Sequence, residues 1–155
     1  MLFRSLSFHE NNFERVRGLT EIKDTRHWDF VISKAKEAKW TPGLREIFDY
    51  RDVGVKEGTK GDVIAHVIRC NGKEMKDEVQ QWHIHECDFQ LVYVIKGWAE
   101  FEFEGEGVRR LEAGDVILQK PMIKHREVAI SDDYEVLEIV SPANFATKLV
   151  DGPQS

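Results

Sequence analysis

Apolar and acidic residues alternate without interruption from residue 99 to residue 104, where Ala99, Phe101 and Phe103 are each followed by a glutamate. Successive side chains of a β-strand point to opposite faces of a sheet, so this pattern predicts a strand with one buried face and one wet face. A glycine-flanked turn follows at 105–107, and an extended stretch returns over residues 108–111. The pattern therefore predicts a β-hairpin.

Short apolar stretches of strand length occur on both sides of this hairpin. They are 62–70 and 90–95 before it, and 116–119 and 134–140 after it. Several short strands separated by turn-forming residues favour an all-β sandwich or barrel over alternating strands and helices. Both faces of 62–70 are apolar, which predicts that this strand is covered on both sides. Only one of His66 and Arg69 can point inward, because the two positions have opposite parity.

The first 45 residues lack this alternation. Residues 30–39 combine helix-forming residues with apolar positions three to four apart, and Pro42 and Gly43 follow, which predicts one short helix before the strands. At 155 residues the chain is long enough to bury one hydrophobic core without disulfides. We therefore expect a single domain, with an N-terminal extension at 1–45, a barrel at 46–142 and a C-terminal tail at 143–155.

The charge balance narrows the class of partner. With 22 Lys and Arg against 28 Asp and Glu, the net charge is -6, which argues against nucleic acid or an anionic membrane surface and favours a small molecule. The chain has no apolar run of about 18 residues, and its N-terminus lacks the pattern of a secretory signal. Cys70 and Cys87 provide no disulfide framework. These features predict a cytoplasmic protein.

The candidate chemistry begins at His83 and His85. On an extended strand, two imidazoles separated by one residue point to the same face and can bind one metal ion together. His125 and the amide oxygen of Gln90 would complete four nitrogen and oxygen ligands, a set that suits a divalent first-row transition metal. Two alternatives stay open, since the histidines could be ordinary half-buried side chains and Gln90 a hydrogen-bonded core residue. Cys87 has the parity of His85 but falls in an expected turn, where a free cysteine more often serves as a small apolar residue.

Seven residues in two groups resemble the two motifs of the cupin superfamily, which are small β-barrels of the jelly-roll type: His83, His85, Gln90 and Gly97, then Gly114, Pro121 and His125. The resemblance covers about residues 61–141. Two departures stand out. The family's usual glutamate is replaced by Gln90, and the second motif lacks the usual glycine after its proline and is one residue shorter.

The resemblance implies an all-β, single-domain cupin barrel with a short N-terminal helical extension. It also implies one divalent transition metal ion per chain, held by His83, His85, Gln90 and His125, with Fe(II) first and Zn, Mn, Ni, Co or Cu as alternatives. Cupin dioxygenases commonly use three histidines, so we expect a dioxygenase-like metalloenzyme. Cupins also often pair through their sheets, so we expect a homodimer.

The amide at Gln90 bears on the substrate. Neutral ligands leave a divalent ion its full charge, which favours an anionic substrate that chelates the ion. Two other functions remain open. In a redox-neutral isomerase or lyase, Glu127 or an inward His66 would move a proton, since Glu127 lies two residues after His125 and shares its face. A small-molecule-binding barrel would use the same fold without catalysis.

Overall fold

The computed structural model describes residues 27–43, 45–73 and 80–154. In this part the chain forms eleven β-strands, one 3-10 turn at Ala35–Glu37 and one short helix, α1, at Val55–Gly58. The strands are β1 (Thr41–Pro42), β2 (Phe48–Asp52), β3 (Ile64–Cys70), β4 (His83–Glu86), β5 (Phe89–Lys96), β6 (Trp98–Phe103), β7 (Gly107–Glu112), β8 (Val116–Leu118), β9 (His125–Ile130), β10 (Glu135–Ser141) and β11 (Ala146–Leu149).

The strands form two antiparallel sheets. One sheet has six strands in the order β1-β2-β3-β10-β5-β8, and the other has five in the order β11-β4-β9-β6-β7. Buried apolar residues from both sheets meet between them, among them Ile68, Val94 and Val136 from the first sheet and Ala99 from the second. This all-β sandwich of two sheets is the predicted jelly-roll architecture. None of its described helices is long and apolar enough to cross a membrane.

The predicted hairpin is confirmed. Strands β6 and β7 pair from Trp98↔Glu112 to Phe103↔Gly107. Ala99 and Phe103 are buried, whereas Glu100 and Glu102 lie on the outer face and bind arginines. The alternation read from the sequence therefore separates core from solvent, as the period of two requires.

The predicted strand 62–70 forms as β3, and it is covered on both sides. Ala65 and Val67 are buried on one face, and His66 and Ile68 line a cavity on the other. His66 is thus the inward residue of the predicted pair. Arg69 lies on the opposite face, with its guanidinium 3.8 Å from the centre of the Trp40 ring.

The helix predicted over 30–39 shortens to the 3-10 turn at Ala35–Glu37. Phe30 and Ile32 are 91% and 70% exposed, so neither side chain is packed against the described part of the chain. A short helix without tertiary packing is unstable, because nucleation costs more than one turn of hydrogen bonds returns. The segment is held instead by the hydrogen bonds that Trp28 donates to Asp62 and Asp29 donates to the carbonyl of Gly58. The rest of the predicted extension, residues 1–26, lies outside the described residues.

Candidate metal and substrate site

Three histidines meet between the sheets. His83 and His85 lie on β4, and His125 begins β9 directly opposite His83 in the strand register. Their ligating nitrogens all lie within 4.8 Å of one another. His83 and His125 are buried and His85 is half-buried. Among the described residues this triad is the group of side chains that could hold a metal ion.

Each imidazole of the triad is held from behind through its Nδ1 atom. His83 Nδ1 lies 2.9 Å from the carbonyl oxygen of Gln81, and His125 Nδ1 lies 2.9 Å from that of Ile123. Since a carbonyl oxygen only accepts, Nδ1 carries the proton in both rings. His85 Nδ1 contacts the Thr147 hydroxyl at 2.9 Å. The Nε2 atoms of His83 and His125 therefore carry lone pairs, which accept from Arg45 and Gln119 in this structure and would have to be released to a metal ion. The donor set of three imidazoles fits a divalent transition metal ion.

The triad histidines are held in the neutral form that binds metals. Burial lowers the pKa of His83 and of His125 from 6.5 to about 4, and burial with the nearby His125 lowers the pKa of His85 to about 3. At neutral pH, protons therefore do not compete with a metal ion for the imidazole nitrogens.

Gln90, the predicted fourth ligand, lines the cavity of the triad and is 2% exposed. Its Nε2 donates to Glu138 Oε1 at 2.7 Å, and its Oε1 accepts from Gln119 Nε2 at 3.1 Å. The same Gln119 nitrogen lies 3.0 Å from His125 Nε2. The carbonyl oxygen of Gln90 is thus linked to the triad through Gln119.

Glu127 lines the same cavity as the triad and is 8% exposed. One of its oxygens forms an ion pair with Arg45, whereas Oε2 is buried without a hydrogen-bond partner. Burial raises the pKa of the Glu127 carboxyl, and the Arg45 guanidinium opposes part of this rise. Arg45 also places Nη2 3.1 Å from His83 Nε2. A carboxylate with an unused acceptor in a cavity is a candidate acid or base.

His66 reaches the cavity from the opposite sheet. Its Nε2 forms a hydrogen bond with Glu138 Oε2, and its ring meets Tyr50 edge-on at 5.2 Å. Burial acts to raise the pKa of Glu138, but the hydrogen bond and charge of His66 together with other donors lower it overall. Glu138 is therefore an ionised carboxylate between two donors, His66 and Gln90.

Sequence reasoning missed Arg45, Gln119 and Glu138. Glu138 carried a detectable signal, because it shares strand parity with Val136 and Val140 and so is a charged residue on an apolar face. Arg45 precedes strand β2, and no pattern in the sequence marks it as a site residue, because only the fold brings it next to residues 83 and 127.

These residues surround a cavity of about 550 Å³ between the sheets. Aromatic and aliphatic side chains form much of its wall, including Phe101, Phe145 and Val92. Such a volume admits a small molecule, and the triad supplies part of the polar lining. Cys87 is buried but does not line this cavity.

The second motif reaches the triad despite its missing glycine. Met122, which follows Pro121, adopts a left-handed backbone with φ of 63°, the region that glycine occupies most easily. Its amide donates to the carbonyl of His85 at 3.2 Å, and the Ile123 amide closes the turn onto Lys120. The loop therefore keeps the turn that delivers His125 to β9.

The two antiparallel sheets with an inward histidine triad form a jelly roll of the cupin type. Residues 74–140, less than half of the chain, match the family model described as the cupin domain. Among curated protein sequences, none matches the chain.

Solved structures with the same fold include metal-containing proteins and enzymes. KdgF from a Halomonas species is 28% identical, covers 74% of this chain and 94% of its own, and has a TM-score of 0.56. The Fe(II) form of HppE is 12% identical over 72% of this chain and 60% of its own, with a TM-score of 0.55. Pac13, a nucleoside dehydratase, is 16% identical over 78% of this chain and 91% of its own, with a TM-score of 0.53.

Proposed function

We propose that this cupin is a metal-dependent enzyme that moves a proton on a small anionic substrate without oxidising it. The observation that carries this proposal is the buried Glu127. Its Oε2 has no hydrogen-bond partner, and its side chain lines the same cavity as the histidine triad. Acid–base chemistry needs such a carboxylate within reach of the substrate. An isomerase or a lyase acting next to a carbonyl or carboxylate fits this arrangement.

His83, His85 and His125 would hold the metal ion, with the carbonyl oxygen of Gln90 as the fourth ligand. A divalent ion bound there supplies Lewis-acid polarisation of a substrate oxygen. The remaining roles belong to the chain. Glu127 takes the proton, and His66, whose Nε2 is bound to Glu138, returns one through Nδ1 from the opposite sheet.

The charge of the cavity supports an anionic substrate. The triad and Gln90 are neutral, so a divalent ion would keep both its charges, and Arg45 adds a third positive charge. Glu127 and Glu138 provide two negative charges, so the site keeps a net positive charge whether or not His66 is protonated. An anionic group of the substrate then pairs with Arg45 and the ion.

The test is a turnover assay in D₂O with metal-loaded protein and a panel of small hydroxy and keto carboxylates. We expect deuterium incorporation or product formation by NMR without oxygen uptake. Glu127→Gln should lower turnover by about a hundredfold or more while metal content stays the same. Glu104→Gln, which changes an exposed glutamate, is the matched control and should behave as wild type.

A dioxygenase is the second candidate, favoured by the three neutral imidazole ligands and the Fe(II) protein among the structural neighbours. Fe(II) is its expected metal, and its substrate is again a chelating anion. Substrate-dependent oxygen uptake that survives Glu127→Gln would replace the first proposal with this one. Tight binding of a panel compound without turnover would instead support a binding barrel.

A further inference from the structure

Two buried amides and a carboxylate form a chain of hydrogen bonds that ends at the triad. Glu138 accepts from Gln90 at 2.7 Å, Gln90 accepts from Gln119 at 3.1 Å, and the same Gln119 nitrogen lies 3.0 Å from His125 Nε2. Gln90 and Gln119 are 2% and 6% exposed, so water does not supply these hydrogen bonds. The orientation of each amide therefore depends on its protein partners.

Glu138 determines which end of Gln90 faces the triad. An ionised carboxylate only accepts hydrogen bonds, so the NH₂ group of Gln90 must point toward Glu138. The carbonyl oxygen of Gln90 then points to the other side, where it meets the Gln119 nitrogen that also touches His125. His66 binds the second oxygen of Glu138 and keeps this carboxylate from turning away.

We propose that Glu138 is a positioning residue for cation binding: it holds the carbonyl oxygen of Gln90 toward the histidine triad and supplies, from behind, the negative charge that a carboxylate at position 90 would bring. This inference rests on the proposed metal site. It explains how an amide can stand where the family has a glutamate. The negative charge is on Glu138, one hydrogen bond further from the triad than position 90, so Gln90 and Glu138 together do what a glutamate at position 90 would do.

The two residues should therefore be exchangeable only together. Gln90→Glu alone would set two buried carboxylates against each other across the present 2.7 Å contact. Glu138→Gln alone would replace an acceptor that serves both His66 and Gln90 with an amide that can accept from only one of them at a time. In the double variant Q90E/E138Q, the amide at 138 accepts from His66 and donates to the carboxylate at 90, so every hydrogen bond is kept.

The test is calorimetric titration of the full chain with Co²⁺, comparing wild type, Q90E, E138Q and Q90E/E138Q. We expect each single variant to lose about tenfold or more in Co²⁺ affinity and the double variant to recover to within about threefold of wild type. Glu135→Gln, on the same strand at the opposite parity, is the control and should leave the affinity unchanged. Wild-type affinity in E138Q, or a double variant no better than the weaker single variant, would overturn the inference.

Thermal melting of the metal-free variants gives a second reading that does not need the metal. If Gln90 and Glu138 are coupled, each single variant has a lower melting temperature than wild type or does not fold. The double variant then recovers most of the lost melting temperature. A double variant as unstable as the single ones contradicts the inference. Failure of wild type to bind Co²⁺ would reject the proposed function, while the melting comparison would still decide whether Gln90 and Glu138 are coupled.

Discussion

The imidazoles of the triad are the residues on which cation binding depends. Replacing His83 or His85 by alanine removes one of three nitrogens that lie within 4.8 Å of one another. We expect metal affinity to fall by more than about a hundredfold. This is a larger loss than expected from removing a residue that only hydrogen-bonds a ligand. Metal content after dialysis against a defined Co²⁺ concentration measures this.

His27→Ala is the matched control, because His27 is exposed and does not line the cavity of the triad. Far-UV circular dichroism should show the barrel folded in every variant. Unchanged metal stoichiometry in His83→Ala and His85→Ala would mean that these residues are not the ligands.

Met122 is a second position where one residue decides a local property. Its φ of 63° is unfavourable for a side chain with a Cβ atom, and the side chain is 51% exposed, so it gains little from packing. Met122→Gly should therefore raise the free energy of unfolding by about 1 kcal/mol. Urea denaturation measures the change. Met122→Ala keeps the Cβ atom and should give no such gain, and equal stabilisation by both variants would rule out backbone strain as the cause.

At the scale of elements, the orientation of His85 depends on a neighbouring edge strand. Strand β11 pairs only with β4 among the described strands, and its Thr147 lies opposite His85 in the register. The Thr147 hydroxyl contacts His85 Nδ1 at 2.9 Å. Thr147→Val should lower metal affinity about tenfold, because the imidazole loses the group that orients it.

Thr147→Ser keeps the hydroxyl and should restore the affinity, which separates orientation of the ring from packing of β11. Competition with a chromophoric chelator reports both values. If the valine and serine variants bind the metal equally, the contact between β11 and His85 does not contribute to the site.

For the whole molecule, the buried neutral histidines predict how stability varies with pH in the metal-free protein. Folding lowers the pKa of His83 and His125 to about 4 and that of His85 to about 3, from 6.5 in each case. Between these values and 6.5 the unfolded chain binds more protons than the folded chain, so stability rises with pH through this window.

We therefore expect the free energy of unfolding to fall by at least about 1 kcal/mol as the pH drops from 7 to 4.5. Urea denaturation at a series of pH values measures it. The His83→Ala variant should show a smaller dependence. A flat profile for wild type between pH 7 and 4.5 would contradict the expected burial of neutral imidazoles.

The outer face of the six-stranded sheet bears on the proposed homodimer. Leu118 and Val116 on β8 are 67% and 56% exposed, and Val116 lies opposite Tyr93, which is 40% exposed. An apolar face of this kind suits an isologous contact between two copies. Light scattering after size exclusion should give twice 18.0 kDa for wild type and 18.0 kDa for Leu118→Asp.

Val108→Asp changes an exposed apolar residue of the other sheet and serves as the control. It should remain dimeric. A monomeric wild type would remove the homodimer proposal, and dissociation by Val108→Asp alone would move the interface to the five-stranded sheet.

Local patterns determined much of the fold and part of the site. The period of two along residues 99–104 placed Ala99 and Phe103 inside, and the spacing of His83 and His85 placed two imidazoles on one face. Strand geometry alone carries such information, because alternation does not depend on the partner strand. The helix predicted at 30–39 is only a 3-10 turn at Ala35–Glu37. A helix of that length depends on packing against other elements, which its own sequence does not specify.

Only the tertiary structure decided how residues distant in the sequence combine. The register between β4 and β9 set His125 opposite His83, and the meeting of the sheets brought Arg45 to Glu127 and Glu138 to Gln90. The last two contacts join residues 82 and 48 positions apart along the chain. The alternation of apolar and polar residues along the sequence does not predict these contacts, because they arise from strand order and from the packing of one sheet on the other. The sequence by itself therefore determined which residue types could bind a cation, whereas the fold decided which charges and hydrogen bonds surround them.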